Sequence, residues 1–332
     1  RVPALASRGF LLDLSDQRAE IEAVANATAV NAVSYDGKIY ALPMWTSTQL
    51  LFYNKDLLEK AGIEPPKAGK EDRLTWDQLV DLATKAKGAG AAWGFSFEQV
   101  DRYYQLQPLF ESAGGGSGLS GDNMLTPDIT NEAWIKTATW YKNLFDSGLS
   151  PRGVPSEQTP DLFMNGQLAF FVGGPWNFGR FGAVDGLNYG VAPVPYFAGG
   201  KPVTPTDSWA IGINPYAANP EAAMKFAKFL TLDPEGNFLT VSANPLPPTN
   251  SKAYERYNET IAALPNGVGE AAQQIITYEI GETAIGRPRS IGYVSFEEVM
   301  NRAFSDIRNG ADPQQTLEAA QSQLTSQLSR IR

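Results

Sequence analysis

Two kinds of apolar pattern alternate along the chain. Leu168–Val172 is a continuous apolar run of five residues, too short for a helix and lacking the alternation of a half-wetted strand, so it predicts an internal strand of a covered sheet. Ile39–Pro43, Leu50–Tyr53 and Trp209–Ile213 read as further short strands, and Tyr189–Pro195, interrupted by proline, as a strand near a sheet edge. Asp36-Gly37 is a hairpin turn signal.

The other pattern has a helical period. Thr75 and Gln78 form a capping box ahead of Leu79, Leu82, Ala83 and Ala86, which share one face. Asn54 caps a helix over Lys55–Ala61. Thr130 opens a helix that carries Trp134, Ala138, Tyr141 and Phe145 toward a core. Asn219-Pro220 starts an amphipathic helix with Ala223, Phe226, Ala227 and Leu230 inward. Helices are also predicted at Tyr103–Ser112, Glu270–Ile280, Phe296–Arg308 and Pro313–Arg330, the last capped by Asp312. The proline-rich segment Asn244–Thr249 must be extended, and Leu11–Val33 is only weakly periodic. Strands come mostly singly between helices, which gives an α/β class, and 332 residues exceed one compact core, so two domains are expected.

Composition narrows the chemistry. With 43% hydrophobic and 19% charged residues the chain is ordinary and globular, and its net charge of −9 argues against nucleic acid and anionic membrane surfaces. There is no cysteine and no histidine, which removes thiol nucleophiles, disulfides, imidazole bases and the usual zinc sites together. Neither cofactor nor metal is expected, and any enzyme here would run on carboxylates, Lys, Tyr or Ser. The first residue is Arg1 and no signal-peptide pattern precedes it, so a processed or partial chain is expected.

The richest stretch is Phe163–Phe181, FMNGQLAFFVGGPWNFGRF. The buried strand ends at Gly173-Gly174, which let the backbone pass close to something, and Trp176, Asn177 and Phe178 follow at its carboxyl end, where open α/β sheets place their ligands. A Trp beside an amide suits a sugar: a flat apolar face for the ring and a group that both donates and accepts hydrogen bonds. The alternative is a core Trp with a helix-capping Asn.

Eight segments in register carry a family likeness. YDGKIYALP at Tyr35–Pro43, LFYNKDLLEKAGI at Leu51–Ile63, TWDQLVDLA at Thr75–Ala83, FMNGQLAFFVGGPW at Phe163–Trp176, NYGVAPVP at Asn188–Pro195, SWAIGINPYAANPEAAMKFAKFL at Ser208–Leu230, RPRSIGY at Arg287–Tyr293 and NGADPQQTLEAAQSQL at Asn309–Leu324 resemble the extracellular solute-binding proteins of ABC importers, in the family 1 group that holds maltose-binding protein. The resemblance implies a type II periplasmic-binding-protein fold: two α/β lobes joined by chain crossings near Trp45–Gln49, Pro205–Trp209 and Gly267–Glu270. Lobe one would comprise residues 1–46 with 208–267, and lobe two 47–207 with 268–332. It further implies a sugar held in the interlobe cleft, closure on binding, delivery to the transmembrane permease subunits of an ABC transporter, a monomer, and a periplasmic location or an extracellular, membrane-tethered one in a Gram-positive source. Family members begin with two βα units of about 30 residues each, and Arg1–Leu14 resembles the stretch after them, so the N-terminal part of lobe one is expected to be missing from this sequence.

Carried over by position, the resemblance implies ligand contacts at Trp45, Ser47, Tyr104, Gln105, Trp176, Asn177, Asp207, Ser208, Trp209, Arg287 and Tyr293. Ser47 stands where sugar-binding relatives often place Asp, which puts a maltose- or trehalose-like pose in doubt. Arg289, a second arginine two residues after Arg287, is either a solvated surface charge or the mark of an anionic sugar. The rival from another class is a carboxylate-driven glycoside hydrolase, for which Asp207 is the acid nearest the Trp cluster. Ferric iron or a polyamine is a weaker rival, because paired Tyr and carboxylates, or additional cleft acids, are not prominent.

Overall fold

The computed structural model describes residues 1–206, 209–242 and 244–331. Its main sheet has four strands in the order Trp93–Phe97, Leu168–Gly173, Leu50–Asn54, Tyr189–Ala192. The first pair is parallel, with Phe95 opposite Phe170, and the other two are antiparallel, with Phe52 opposite both Phe171 and Val191. Both faces are covered, which is why the two inner strands are continuous apolar runs. Leu51, Tyr53, Phe95 and Val172 pack toward helices Trp76–Gly88, Glu132–Asp146 and Tyr293–Arg308. Leu50, Phe52 and Phe171 face the other way, toward Phe163, Phe178, Tyr257 and Ile275. Phe52 sits in the middle of that second layer, its ring 5.3–6.3 Å from those of Phe163, Phe171, Phe178, Phe181 and Tyr189.

A second, smaller core gathers Leu14, Ile21, Val33, Ile39, Leu42, Ile213 and Ala227. It is framed by the hairpin of Ser34–Tyr35 with Lys38–Ile39 and by Leu42–Trp45 paired antiparallel with Trp209–Ile211. The hairpin turn is as expected: Asp36 and Gly37 both take positive φ, 49° and 73°, the left-handed pair that a two-residue hairpin needs. The two cores make the molecule two-lobed. Between them run Thr204–Pro205, hydrogen-bonded in parallel with Ala284–Ile285, and residues 46–49.

Four details depart from the expectations. The expected strand Ile39–Pro43 is broken at Tyr40-Ala41, and its second half extends through Trp45, into the expected spacer. Strand Trp93–Phe97, with the sequence WGFSF, is added at the edge of the main sheet; its Gly94 lies so close to helix Trp76–Gly88 that a Cβ there would meet the Ala83 carbonyl oxygen at 2.5 Å. Phe226 points outward, 64% exposed, while Ala227 is buried, so the inward stripe of helix Pro220–Thr231 is narrower than its spacing suggested. Finally, helix Ser251–Ala262 packs with the main sheet through Tyr257 and Ile261. The extended segment 246–249 before it lies beside Met44–Thr46, where Thr46 N donates to the Pro247 carbonyl at 2.8 Å and Thr249 N to that of Met44 at 3.1 Å, and Ser251 N still donates to the Val24 carbonyl of the smaller lobe at 2.9 Å. That helix thus starts on the smaller lobe and ends against the large sheet, within the stretch 208–267 expected for lobe one.

Candidate functional site

The carboxyl ends of strands Trp93–Phe97 and Leu168–Gly173 lie side by side, and each feeds residues into one cleft wall. From the first come Gln99 and Arg102, then Tyr104 on helix Tyr103–Ser112; from the second comes Trp176. The two glycines before Trp176 have a local reason. A Cβ on Gly174 would stand 2.0 Å from the Trp176 ring, and one on Gly173 would meet Phe171 at 2.5 Å and the Asn177 amide at 2.8 Å. What the backbone must approach is thus the protein's own indole and its support.

That support is Glu98. Its carboxylate accepts from Trp176 Nε1 at 2.8 Å, from Asn177 Nδ2 at 3.0 Å and from Gly174 N at 3.4 Å. Burial pushes the Glu98 carboxyl above its ordinary value, and the Trp176 and Asn177 hydrogen bonds partly oppose this. Three N–H groups aimed at one buried carboxylate fix the indole's direction.

Trp176 and Trp209 reach the same cavity, of about 180 Å³, which is also lined by Ser47, Tyr104, Arg102, Arg287 and Leu246. Ser47 Oγ and Tyr104 Oη are 2.7 Å apart. Trp209 is 51% exposed. It and Arg102 and Arg287 also line an adjoining cavity of about 660 Å³, whose far wall comes from helices Val2–Ala6 and Ala27–Ala32 of the smaller lobe. The space is therefore interlobe, within the usual range of about 300–1,000 Å³ for small-molecule sites.

Trp45 stands behind this surface: its ring centroid is 6.0 Å from that of Trp209, and its Nε1 donates to Thr240 Oγ1 at 2.6 Å. Arg287 lies over the Tyr104 ring at 5.2 Å and donates to Glu297 Oε1 at 2.9 Å. Arg289 lines the larger cavity and donates to Asn31 Oδ1 and the Ser34 carbonyl. Besides Trp45, three more expected contacts are placed away from the cavity. Gln105 is buried, donating to Gln49 Oε1 at 2.6 Å and the Val172 carbonyl at 2.8 Å. Asn177 is buried against Glu98, and Tyr293 is buried with its hydroxyl donating to Glu297 Oε1 at 3.0 Å. Each is occupied by a neighbour because it faces inward from its helix. Asp207 and Ser208 fall outside the described residues.

Glu98, Gln99, Arg102, Asn244 and Leu246 were not singled out from sequence. The first three follow strand Trp93–Phe97, so recognising WGFSF as a strand would have flagged them by the carboxyl-end rule. Among the described residues no group of acidic side chains could hold a metal ion, and no helix is long and apolar enough to cross a membrane.

Solved structures share this architecture along nearly the whole chain. An ABC substrate-binding protein of Listeria monocytogenes in complex with cycloalternan superposes with a TM-score of 0.84 at 22% identity, covering 99% of this chain and 82% of that one. A solute-binding protein of Thermotoga lettingae bound with α-D-tagatose gives a TM-score of 0.82 at 25% identity, covering 98% and 82%. In sequence, a maltodextrin-binding protein of Bacillus subtilis is 26% identical over 80% of this chain and 63% of its own length. A galactooligosaccharide-binding protein of the same organism is 28% identical over 69% and 54%. The chain thus spans between about half and two thirds of these curated relatives. The family model for bacterial extracellular solute-binding proteins matches residues 1–267, and by that match the chain belongs to the bacterial extracellular solute-binding protein family.

Proposed function

We propose that the protein captures a sugar between its lobes, without altering it, and presents the closed form to the permease of an ABC importer at the outer face of a cell membrane. The observation that carries this reading is the pairing of Trp176 and Trp209 on one interlobe cavity beside the Ser47–Tyr104 hydroxyl pair. Indole faces take the apolar side of a pyranose and hydroxyls take its edge. The relatives named for maltodextrin and galactooligosaccharide, and the neighbour solved with α-D-tagatose, support a carbohydrate as the ligand.

The mechanism follows from the geometry. The cleft walls belong to different lobes, so a ligand that touches both favours the closed form, by no more than its preference for that form. Trp209, half exposed on the small-lobe strand Trp209–Ile211, is positioned to fold over a ring seated against Trp176. Binding at micromolar strength corresponds to about −8 kcal/mol, within reach of two aromatic faces and several hydroxyl hydrogen bonds. Hydrolysis would need two carboxyl groups facing the sugar; among the described residues lining the two cavities, Glu111 is the carboxylate present.

A thermal-shift screen of mono- and oligosaccharides tests the proposal. A ligand at 100 times its Kd adds about 2.7 kcal/mol, so at least one sugar is expected to raise Tm and to be recovered unchanged by chromatography. A screen without a single positive sugar overturns the reading, and recovery of a cleaved one turns it into a hydrolase.

A further inference from the structure

The cleft of this acidic protein is lined by cations. Arg1, Arg102, Arg287 and Arg289 all face the larger cavity, with Glu111 the one acidic residue among its described lining, while the whole chain carries a net charge of −9. Glu297, just behind, is shared between Arg1 and Arg287 at 2.6 and 2.9 Å. Arg102 and Arg289 differ from that pair. Arg102 meets the uncharged Gln99 Oε1 at a long 3.4 Å, and Arg289 meets the uncharged Asn31 Oδ1 and Ser34 carbonyl. Arg289 is an exposed residue at the rim of that cavity. Cations gathered in a low-dielectric cleft against an opposing overall charge concentrate an anion there, and a guanidinium fork is the group best matched to a planar or tetrahedral oxyanion.

We propose that the cleft selects an acidic saccharide, whose carboxylate, sulfate or phosphate is held by Arg102 and Arg289 while a sugar face lies on Trp209. This rests on the saccharide-binding reading and narrows it. Neutral sugars fill the same indole surface but leave the two guanidinium groups, among the described residues, with uncharged hydrogen-bond partners.

The experiment is isothermal titration of the whole chain with galactose, galacturonate, glucose 6-phosphate and N-acetylglucosamine 6-sulfate, together with neutral and uronate-containing disaccharides, at low and high salt. At least one acidic sugar is expected to bind about tenfold or more tightly than its neutral parent, and to lose affinity with added salt while the parent does not. Which of the three oxyanions binds most tightly identifies the source of the charge. Arg102→Gln and Arg289→Gln should each bring the acidic-to-neutral affinity ratio toward one, and Arg102→Lys, which keeps the charge without the fork, should fall between. If one variant does not fold, the other and the salt dependence of the unaltered protein still decide. Neutral sugars that bind as well as or better than acidic ones overturn this inference and leave the saccharide reading standing. Binding of citrate or inorganic phosphate with no sugar bound at all overturns both.

Discussion

Trp209→Ala and Trp176→Ala separate two jobs done by similar side chains. Trp209 is half exposed and packs by its ring on that of Trp45, so its replacement should leave the unliganded Tm within a few degrees while abolishing the sugar-induced shift. Trp176 is tied to Glu98, so its loss should cost stability as well as binding, visible as a lower Tm before ligand is added. Glu98→Ala leaves the buried donors of Trp176 and Asn177 without that acceptor, an expected loss of about 1–3 kcal/mol by denaturant unfolding, with weaker sugar binding because the indole is no longer aimed. Because burial raises the Glu98 carboxyl in the folded state, its contribution to stability is full below the ordinary carboxylate range and declines as pH rises through the raised value. Glu98→Gln should flatten that limb of the stability–pH curve. Trp176 was singled out in the sequence because it follows the two glycines that end a buried strand, and Trp209 only through the family resemblance; both line the smaller cavity. Gln105, Asn177 and Tyr293 turn to other neighbours because a helix offers several faces, and only packing tells which one looks into the cleft.

The strand Leu50–Asn54 is the keystone of the main sheet, hydrogen-bonded on both sides and apolar on both faces. Phe52→Ala removes the ring around which five others gather and should cost about 3–5 kcal/mol, read as a reduced denaturation midpoint. The caps and turns were readable because they depend on neighbours in sequence: the capping box of Thr75 with Gln78, the N-cap Asp312 and the Asp36-Gly37 turn are all present. Elements defined by distant contacts were not. Trp93–Phe97 carries a glycine that lowers its strand signal, and that glycine is there only because helix Trp76–Gly88 presses on it. The outward Phe226 shows the same limit from the other direction: helical spacing marks an apolar face without saying what covers it.

The two lobes are linked by charge as well as by chain. Arg1, beside helix Val2–Ala6 of the smaller lobe, reaches Glu297 on helix Tyr293–Arg308 of the larger one. Burial alone would raise the Glu297 carboxyl, but the Arg287 and Arg1 charges and the Tyr293 hydroxyl hold it below its ordinary value. This link therefore contributes above the unfolded carboxylate value, about 4.3, and is lost as pH falls through the folded one. Acidification toward pH 4 and below should loosen the unliganded molecule, seen as an increased radius of gyration by small-angle scattering, and Glu297→Gln should show the expansion already at neutral pH. The two-lobed fold followed in outline from the resemblance; which lobe each later helix covers did not, because an extended proline segment looks alike whether it bridges lobes or lies on one. The half-exposed indole of Trp209 gives the protein a built-in optical reporter: if the proposed sugar draws the lobes together, that ring should pass from water to a dry contact and its emission should move to shorter wavelength, so occupancy can be followed by intrinsic fluorescence with no dye attached.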